Sequence, residues 1–507
     1  APYGEPRFAE VIREKLIRIH PDGSYRLNLD YFRYCQGLTM TSHRFHRLFG
    51  RRPRKAEDPI EELDMDLAAS IQEVTEEVVL LTARHLHALT EMDSLCLAGG
   101  VALNCVANGR LLREGPFKQI WIQPAAGDAG AAIGVATLIW HQLMNQPRTI
   151  TEPDGQSGSL LGPELRAPEM ERGLDELGAV YHRHDDSMAL SDALASCLDR
   201  GNLVGIARGR MEFGPRALGN RSILADARRP DTQRELNLKT KFRESFRPFA
   251  PIVLAECASE YFEIEPDQES PYMMLVSDVR ASHRLPSDRG NAKGVERVHD
   301  VRSSLPAITH VDYSARIQTV DRIRNPELRA LLESFRARTD CPVLVNTSFN
   351  VRDEPIVCTW LDALACFMST NLDVLVLDNL MLKKSEQHDL QLHQLEAWRR
   401  RSAVDHRKNR EAAWFCVSLT VSICLVALLV LLRFQSPVIA SMLFGVAVAI
   451  AALSLIIPAS RPVIQRGFQL LTFPIRALVT LVLIGLVYYG IVTPIGLVRR
   501  AFGHSIR

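Results

Sequence analysis

The 507-residue chain has little net charge: 60 Lys and Arg stand against 59 Asp and Glu, a formal balance of +1. Nothing global therefore draws it to nucleic acid. Its ten cysteines form no Cys-x-x-Cys pair and follow no regular spacing. That argues against a disulfide framework and a cysteine zinc site, and makes a reducing compartment the default. The opening residues, APYGEPRFAEVIREK, contain neither the apolar core of a signal peptide nor an initiator methionine. We read Ala1 as a cut end.

What is present is unevenly placed. A chain of this length is too long for one core and implies two or three domains. Its cations gather at residues 207–247 and again at Arg399 to Arg410. The first cluster runs through GRMEFGPRALGNRSILAD and KTKFRESFRPFAP, setting Arg210, Arg216, Arg221, Lys239, Lys241, Arg243 and Arg247 among Gly214, Pro215, Gly219 and Pro248. Guanidinium forks match phosphate and carboxylate oxygens, and glycine lets backbone approach a bound group closely. An anion site is the functional reading, and a solvated basic loop is the bland one.

Around this stretch the pattern is that of an α/β protein. DGSYRLNLDYF predicts a hairpin strand, and Asp64–Leu89 predicts a core helix with Leu67, Ile71, Val74 and Val78 on one stripe. SLCLAGGVALNCVANGRLL reads as strand, glycine turn and helix, a geometry that frees backbone amides for an anion. IWIQPAAGDAGAAIG repeats the plan, with Asp128 at the helix start, where capping is the usual role of an aspartate. Residues 146–168 are rich in Pro, Gly, Ser and Thr and predict a linker. Beyond them helix and strand alternate up to Lys384. ITHVDYSARIQTV reads as a strand carrying His310 and Arg316, and CPVLVNTSFN as a buried strand feeding a polar turn, a usual binding position in an α/β sheet.

The words LAGGVALNCVANGRLL, QPAAGDAGAAIG, GRMEFGPRALGNRSILAD and NTSFNVRDEPIV, in this order, resemble the carbamoyltransferase family that includes the nodulation and antibiotic O-carbamoyltransferases. The likeness runs from Ala1 to about Lys384. It implies part of a Kae1-like domain, of the actin-type ATPase and RNase H-like fold, over residues 1–145, then a YrdC-like α/β domain over 169–385. The chain would begin in the middle of the first. Family members use ATP with Mg2+ and carbamoyl phosphate to form carbamoyl-adenylate, then pass the carbamoyl group to a hydroxyl of a saccharide or secondary metabolite.

By the same resemblance Lys241 and Arg243 form a Lys-x-Arg element and Ser348 and Asn350 a Ser-x-Asn element, together the catalytic set that holds the triphosphate and adenylate. Arg210, Arg216, Arg247, His310, Asn346 and Arg352, with Gly99, Gly100 and Asn104, are the implied nucleotide and carbamoyl phosphate contacts. In the family the aspartate matching Asp128 binds Fe2+ together with a His-x-x-x-His pair. The histidine pairs here are His43/His46, His85/His87 and His182/His184, none with that spacing. The metal assignment of Asp128 is therefore conditional on ligands this sequence lacks.

After Lys384 the composition changes twice. Residues 386–411 are polar and basic, with the word WRRRSAVDHRKNR near their end, and uncharged apolar runs follow at Ala412–Leu432, Phe434–Ser460 and Ala477–Val498. Each is long enough to cross a bilayer, which takes about 20 apolar residues. We read two to three spans within 412–498 of a multi-pass membrane protein, its soluble domains on the cytoplasmic side because of the basic run before the first span. Arg461, Arg466 and Arg476 agree, whereas Arg499, Arg500 and Arg507 would fall outside if all three segments cross.

The expectation is an ATP-dependent O-carbamoyltransferase, or its C-terminal part, anchored at a membrane, with no nucleic-acid partner and a homodimer as its oligomer. Two alternatives stay open: a non-catalytic, membrane-anchored nucleotide-binding remnant or partner subunit, and a tRNA threonylcarbamoylation enzyme, in which both folds also occur.

Overall fold

Uninterrupted apolar words such as LVGIA, APIVL and VLVL have no polar face to show water, and their shortness and β-branched content favour strands covered on both sides. In the computed structural model they are the middle of one large sheet. The structure describes residues 1–468, except 36, 56–57, 287–293, 389, 391, 457–459, 461–462 and 466, and leaves the side chains of 392, 396–413 and 434 undescribed. The third apolar run at 477–498 and Arg461, Arg466, Arg476, Arg499, Arg500 and Arg507 lie outside the described residues. Two compact units are present, residues 1–392 and 393–507.

The first unit holds thirteen described strands in order: β1 (Ile17–Ile19), β2 (Tyr25–Leu27), β3 (Ser94–Leu97), β4 (Gln119–Ile122), β5 (His182–Arg183), β6 (Val204–Ala207), β7 (Arg221–Asp226), β8 (Ala250–Leu254), β9 (Leu275–Asp278), β10 (Ser314–Val320), β11 (Val343–Ser348), β12 (Val374–Leu377) and β13 (Leu380–Lys383). The last nine form one mixed sheet in the order β5-β13-β12-β6-β7-β11-β8-β10-β9. At its centre β11 pairs antiparallel with β7 and β8, Asn346 standing opposite Leu224 on one side and Ala250 on the other. All residues of β6, β7, β8 and β12 are buried. The helices Ser187–Asp199 and Pro326–Thr339 pack on each other and on the sheet, and Trp360–Ser369 packs on β6 and β12.

Upstream, β1 and β2 form the expected hairpin. The parallel strands β3 and β4 are joined through the helix Cys105–Glu114. The long helix runs Glu62–Thr90, opened by a Glu61–Asp64 capping box and closed by Glu91 in left-handed conformation. Of the expected stripe, Val74 is buried and Leu67 packs against the same core cluster, but Ile71 departs from it. Ile71 is 51% exposed, whereas Asp66 and Ser70 are buried. The reason lies in the chain start: Asp66 Oδ1 accepts from Glu5 N at 2.8 Å and Ser70 Oγ from Phe8 N at 3.0 Å. These polar groups are buried because they satisfy backbone donors, and they hold the first residues against the helix.

In the second unit one helix ends at Phe434 and another runs Pro437–Ile456. Trp414–Arg433 and Pro437–Leu455 are long and apolar enough to cross a membrane, by length and composition.

Candidate functional site

Lys241 ends the short helical segment Thr232–Thr240, its N–H closing onto Leu236 O at 2.8 Å. It is only 2% exposed. A buried ammonium must find acceptors, and Lys241 Nζ finds them where β11 ends. It donates to Ser348 Oγ at 3.2 Å, Asn350 Oδ1 at 2.7 Å, Asn350 O at 3.0 Å and the Ser348 carbonyl. Ser348 Oγ also donates to Asn350 Oδ1 at 2.8 Å. The Lys-x-Arg and Ser-x-Asn elements thus meet. The acceptors are neutral, so burial, helped by nearby Arg243, pushes the Lys241 ammonium down to about 7.

Between the two cations Phe242 takes a left-handed backbone at φ 48°, a strained conformation for a bulky residue, and its side chain is exposed. Arg243 donates from Nε to Asn237 Oδ1 at 2.7 Å and lies over the Phe249 ring, 5.0 Å from its centroid. Burial first, then the neighbouring Arg247 and Arg316, pushes its guanidinium down to about 10.

These groups stand at a cleft of about 1090 Å³, lined among others by Arg216, Arg243, Arg247, Arg316, Asn346 and Ser348. Among the described residues, no carboxylate is within ion-pair distance of Arg216, Arg243 or Arg316, while Arg247 reaches Glu244 at 3.1 Å. Arg216 Nη2 donates to Leu103 O at 3.2 Å, and Nε of both Arg216 and Arg316 is buried without an acceptor. Burial and the charge of Arg216 lower the Arg316 pKa. Cations gathered without counter-ions repel one another, and a bound polyanion relieves that repulsion.

On one wall His310 Nδ1 sits 3.3 Å from Asp312 Oδ1, and the Tyr3 ring meets His310 edge-on at 5.2 Å. Partial burial works against the Asp312 carboxylate, but His310 and Ser314 outweigh it and hold the carboxyl well below its usual range. Tyr3 donates to Phe246 O at 2.6 Å, and burial pushes its hydroxyl up to about 12.

The Carbamoyltransferase N-terminus model matches residues 1–137 and the Carbamoyltransferase C-terminus model residues 195–384. The chain belongs to the carbamoyltransferase family. It is 40% identical to nodulation protein NolO of Bradyrhizobium diazoefficiens over 387 residues, covering 76% of this chain and 64% of that protein. An uncharacterized protein of Synechocystis sp. is 53% identical over 409 residues, 80% of this chain and 66% of that protein. The chain thus spans about two thirds of the length of these relatives. Among solved structures, HypF in its phosphate- and nucleotide-bound form matches 54% of this chain and 39% of that one at 14% identity and a TM-score of 0.25, too low to carry an argument.

Of the residues singled out in this carbamoyltransferase-family sequence, Asn104, Arg216, Arg243, Arg247, His310, Asn346 and Ser348 line the cleft. Lys241 and Asn350 join it through Ser348. Arg352 stands beside them, its N–H on Lys241 O at 3.1 Å and its guanidinium 3.7 Å from Glu244. Asn104 caps the helix Cys105–Glu114 through Ala107 N and donates to Gln72 Oε1 at 2.9 Å. Gly99, Gly100 and Arg210 are exposed and do not line the cleft.

Asp128 is exposed, and the helix Gly130–Leu138 has no side-chain cap. Among the described residues no three His, Cys, Asp or Glu side chains gather as a metal site. The residues present do not fit an iron centre, and no step below is routed through one. Sequence reasoning singled out Arg316 with His310 in a word that lines the nucleotide cleft in the resembling enzymes, but gave no individual site role to Tyr3, Asp312, Arg316 or Gln318. The last two had a signal: they stand two apart on β10, so both project from one face of a strand whose alternate residues, Ala315 and Ile317, are buried apolar.

Proposed function

We propose that this chain carries the adenylation half of an ATP-dependent O-carbamoyltransferase. The observation that carries the reading is the contact of Lys241 with Ser348 and Asn350 beside Arg243, at the edge of a cleft where the Arg216, Arg243 and Arg316 guanidinium groups have no carboxylate within ion-pair distance among the described residues. Carbamoyl phosphate is hydrolysed to carbamate and phosphate. A carbamate oxygen then attacks the α-phosphorus of ATP, supplied as its Mg2+ complex, and the bond to pyrophosphate breaks. Lys241 and Arg243 neutralise charge on the phosphoryl oxygens as pyrophosphate leaves, while Ser348 and Asn350 fix the ammonium in place. No side chain need act as a nucleophile. An acceptor hydroxyl of saccharide or secondary-metabolite type then attacks the carbamoyl carbon, gives up its proton, and AMP departs.

We read Trp414–Arg433 and Pro437–Leu455 as a membrane anchor, with the basic segment before them on the cytoplasmic side.

The deciding experiment is isotope exchange between pyrophosphate and ATP, with and without carbamoyl phosphate. Exchange is expected only with carbamoyl phosphate, and it should disappear in Lys241→Ala. Exchange without carbamoyl phosphate, or undiminished in the variant, would sink the reading.

A further inference from the structure

Glu212 is a carboxylate within the cationic stretch, yet it pairs with no cation there. It is 5% exposed, and among the described residues no Lys, Arg or His side chain lies within ion-pair distance of it. Its Oε1 is spent on backbone instead, accepting from Leu218 N at 2.6 Å, Asn220 N at 2.8 Å and Arg221 N at 3.3 Å. Successive backbone amides that converge in this way form an anion-binding concavity, and a side chain of the same segment fills it. Glu212 Oε2 is left buried with no donor. Burying a carboxylate with one oxygen unpaired costs stability.

What the carboxylate gives in return lies in the loop it closes. The bond from Leu218 N to Glu212 encloses residues 213–217, among them Arg216, whose side chain lines the cleft. The backbone of this loop is held on both sides of Arg216. Phe213 N donates to Ser159 O at 2.7 Å, and Ser159 Oγ donates to Phe213 O at 2.8 Å. The Ala217 carbonyl accepts from Asn346 Nδ2 at 3.2 Å, and the Leu218 carbonyl from Gln318 Nε2 at 2.8 Å. Gly219 N donates to Ser222 Oγ at 2.9 Å, with a φ of 122° that favours glycine. The Arg216 guanidinium is tied less firmly, with Nη2 on Leu103 O at 3.2 Å and Nε buried without an acceptor. Its aim is therefore set by the backbone beneath it.

We infer that Glu212 is a positioning residue: its carboxylate serves as an internal anion that fixes the loop and thereby aims Arg216 into the cleft. The inference rests on reading the cleft as the site of carbamoyl-adenylate formation. An amide at position 212 would accept the same N–H groups without charge assistance. Alanine would leave three buried N–H groups unpaired and the loop free to turn. Misplacing a substrate-holding group by about 1 Å is enough to cost about 100-fold in rate.

The test is a double-mutant cycle on the full chain, read as kcat/KM for pyrophosphate exchange in the presence of carbamoyl phosphate, with a urea titration of each variant. Arg216→Ala and Glu212→Ala should each lower kcat/KM by about 100-fold, and Glu212→Gln by about 3- to 10-fold. Because Glu212 acts through Arg216, combining Glu212→Ala with Arg216→Ala should cost no more than about twofold beyond Arg216→Ala alone, whereas independent losses would multiply. Multiplying losses overturn the inference, as does wild-type exchange in Glu212→Ala or in Glu212→Gln. If Glu212→Ala does not fold, the cycle is run with Glu212→Gln, whose loss should likewise vanish in the Arg216→Ala background. With wild type active and Arg216→Ala impaired, such failures strike this inference alone. A wild type that exchanges no pyrophosphate, or an Arg216→Ala variant that keeps full exchange, overturns the reading of the cleft and this inference with it.

Discussion

Lys241 Nζ stands 2.7 Å from Asn350 Oδ1, across 109 residues of sequence. The contact joins the end of a short helical segment to the turn after β11 and places a buried ammonium among oxygens that carry no formal charge. An ammonium so placed is held less firmly to its proton than one in water, and a phosphate ligand would restore what burial removes.

Nucleotide binding should therefore depend on pH through Lys241. With its pKa near 7, the free site loses the cation above neutrality, and ATP affinity should fall by up to about tenfold per pH unit beyond it. Lys241→Arg keeps its charge in this range and should flatten the profile. Titrations from pH 7 to 9 check it, and parallel profiles for the two proteins would reject Lys241 as the titrating group.

The same shift bears on stability with a definite sign. The folded pKa near 7 lies below the ordinary lysine value of 10.5, so between these limits the unfolded chain binds more protons than the folded one. Stability of the ligand-free protein should rise with pH across that window, and the penalty for burying the charge should be greatest below pH 7. Urea unfolding of wild type against Lys241→Met at several pH values measures it. The difference between the two should shrink as pH rises.

Phe242 offers a separate test of strain. Its backbone is left-handed at φ 48° while its ring is 51% exposed, so the residue contributes little packing to offset the cost. Phe242→Gly should leave stability unchanged or raise it, whereas β-branched Phe242→Val should lower it by about 1 kcal/mol. Denaturation midpoints of the two variants decide the matter, and equal losses in both would show that the ring, not the backbone, is what matters.

Much of this arrangement is legible in the residues themselves. The short, β-branched apolar words that became β6, β8 and β12 favour buried strands, and the Lys-x-Arg and Ser-x-Asn elements could be paired by resemblance before their 107-residue separation was closed in space. What stayed hidden was non-local. Asp66 and Ser70 are buried only because Glu5 and Phe8 need acceptors there, and no periodicity within the helix reports that. Tyr3 reaches His310 because that anchoring holds the chain start against the long helix. Arg316 was legible as a cation on the strand beside His310, but that it stands in the cleft beside Arg216 with no carboxylate partner among the described residues is not readable from the strand alone.

Gly109 gives a packing prediction at the cleft wall. It lies on the helix Cys105–Glu114 against β9, and a Cβ there would come within 2.2 Å of the Val276 carbonyl oxygen. Backbone cannot step aside as a side-chain tip can. Gly109→Ala should cost about 2 kcal/mol or more, despite the higher helix propensity of alanine, and should reduce ATP affinity because Asn104, Cys105 and Val276 line the same cleft. Urea denaturation with ATP titration checks both, and a stabilised variant would mean that the helix and β9 are further apart than described.

The two apolar helices of the second unit make the last prediction. Leu425, 60% exposed, and Val446, 50% exposed, lie near the middle of Trp414–Arg433 and Pro437–Leu455. Helices of this composition in a water-soluble unit would bury such positions, while lipid leaves them where they are. The full chain should sediment with membranes, resist alkaline carbonate and dissolve in detergent. Arginine at the centre of a span costs about 2.5–3.5 kcal/mol on the insertion scale, so Leu425→Arg combined with Val446→Arg should shift the protein toward the soluble or aggregated fraction. Wild-type protein that is soluble without detergent would instead require these faces to be covered by protein.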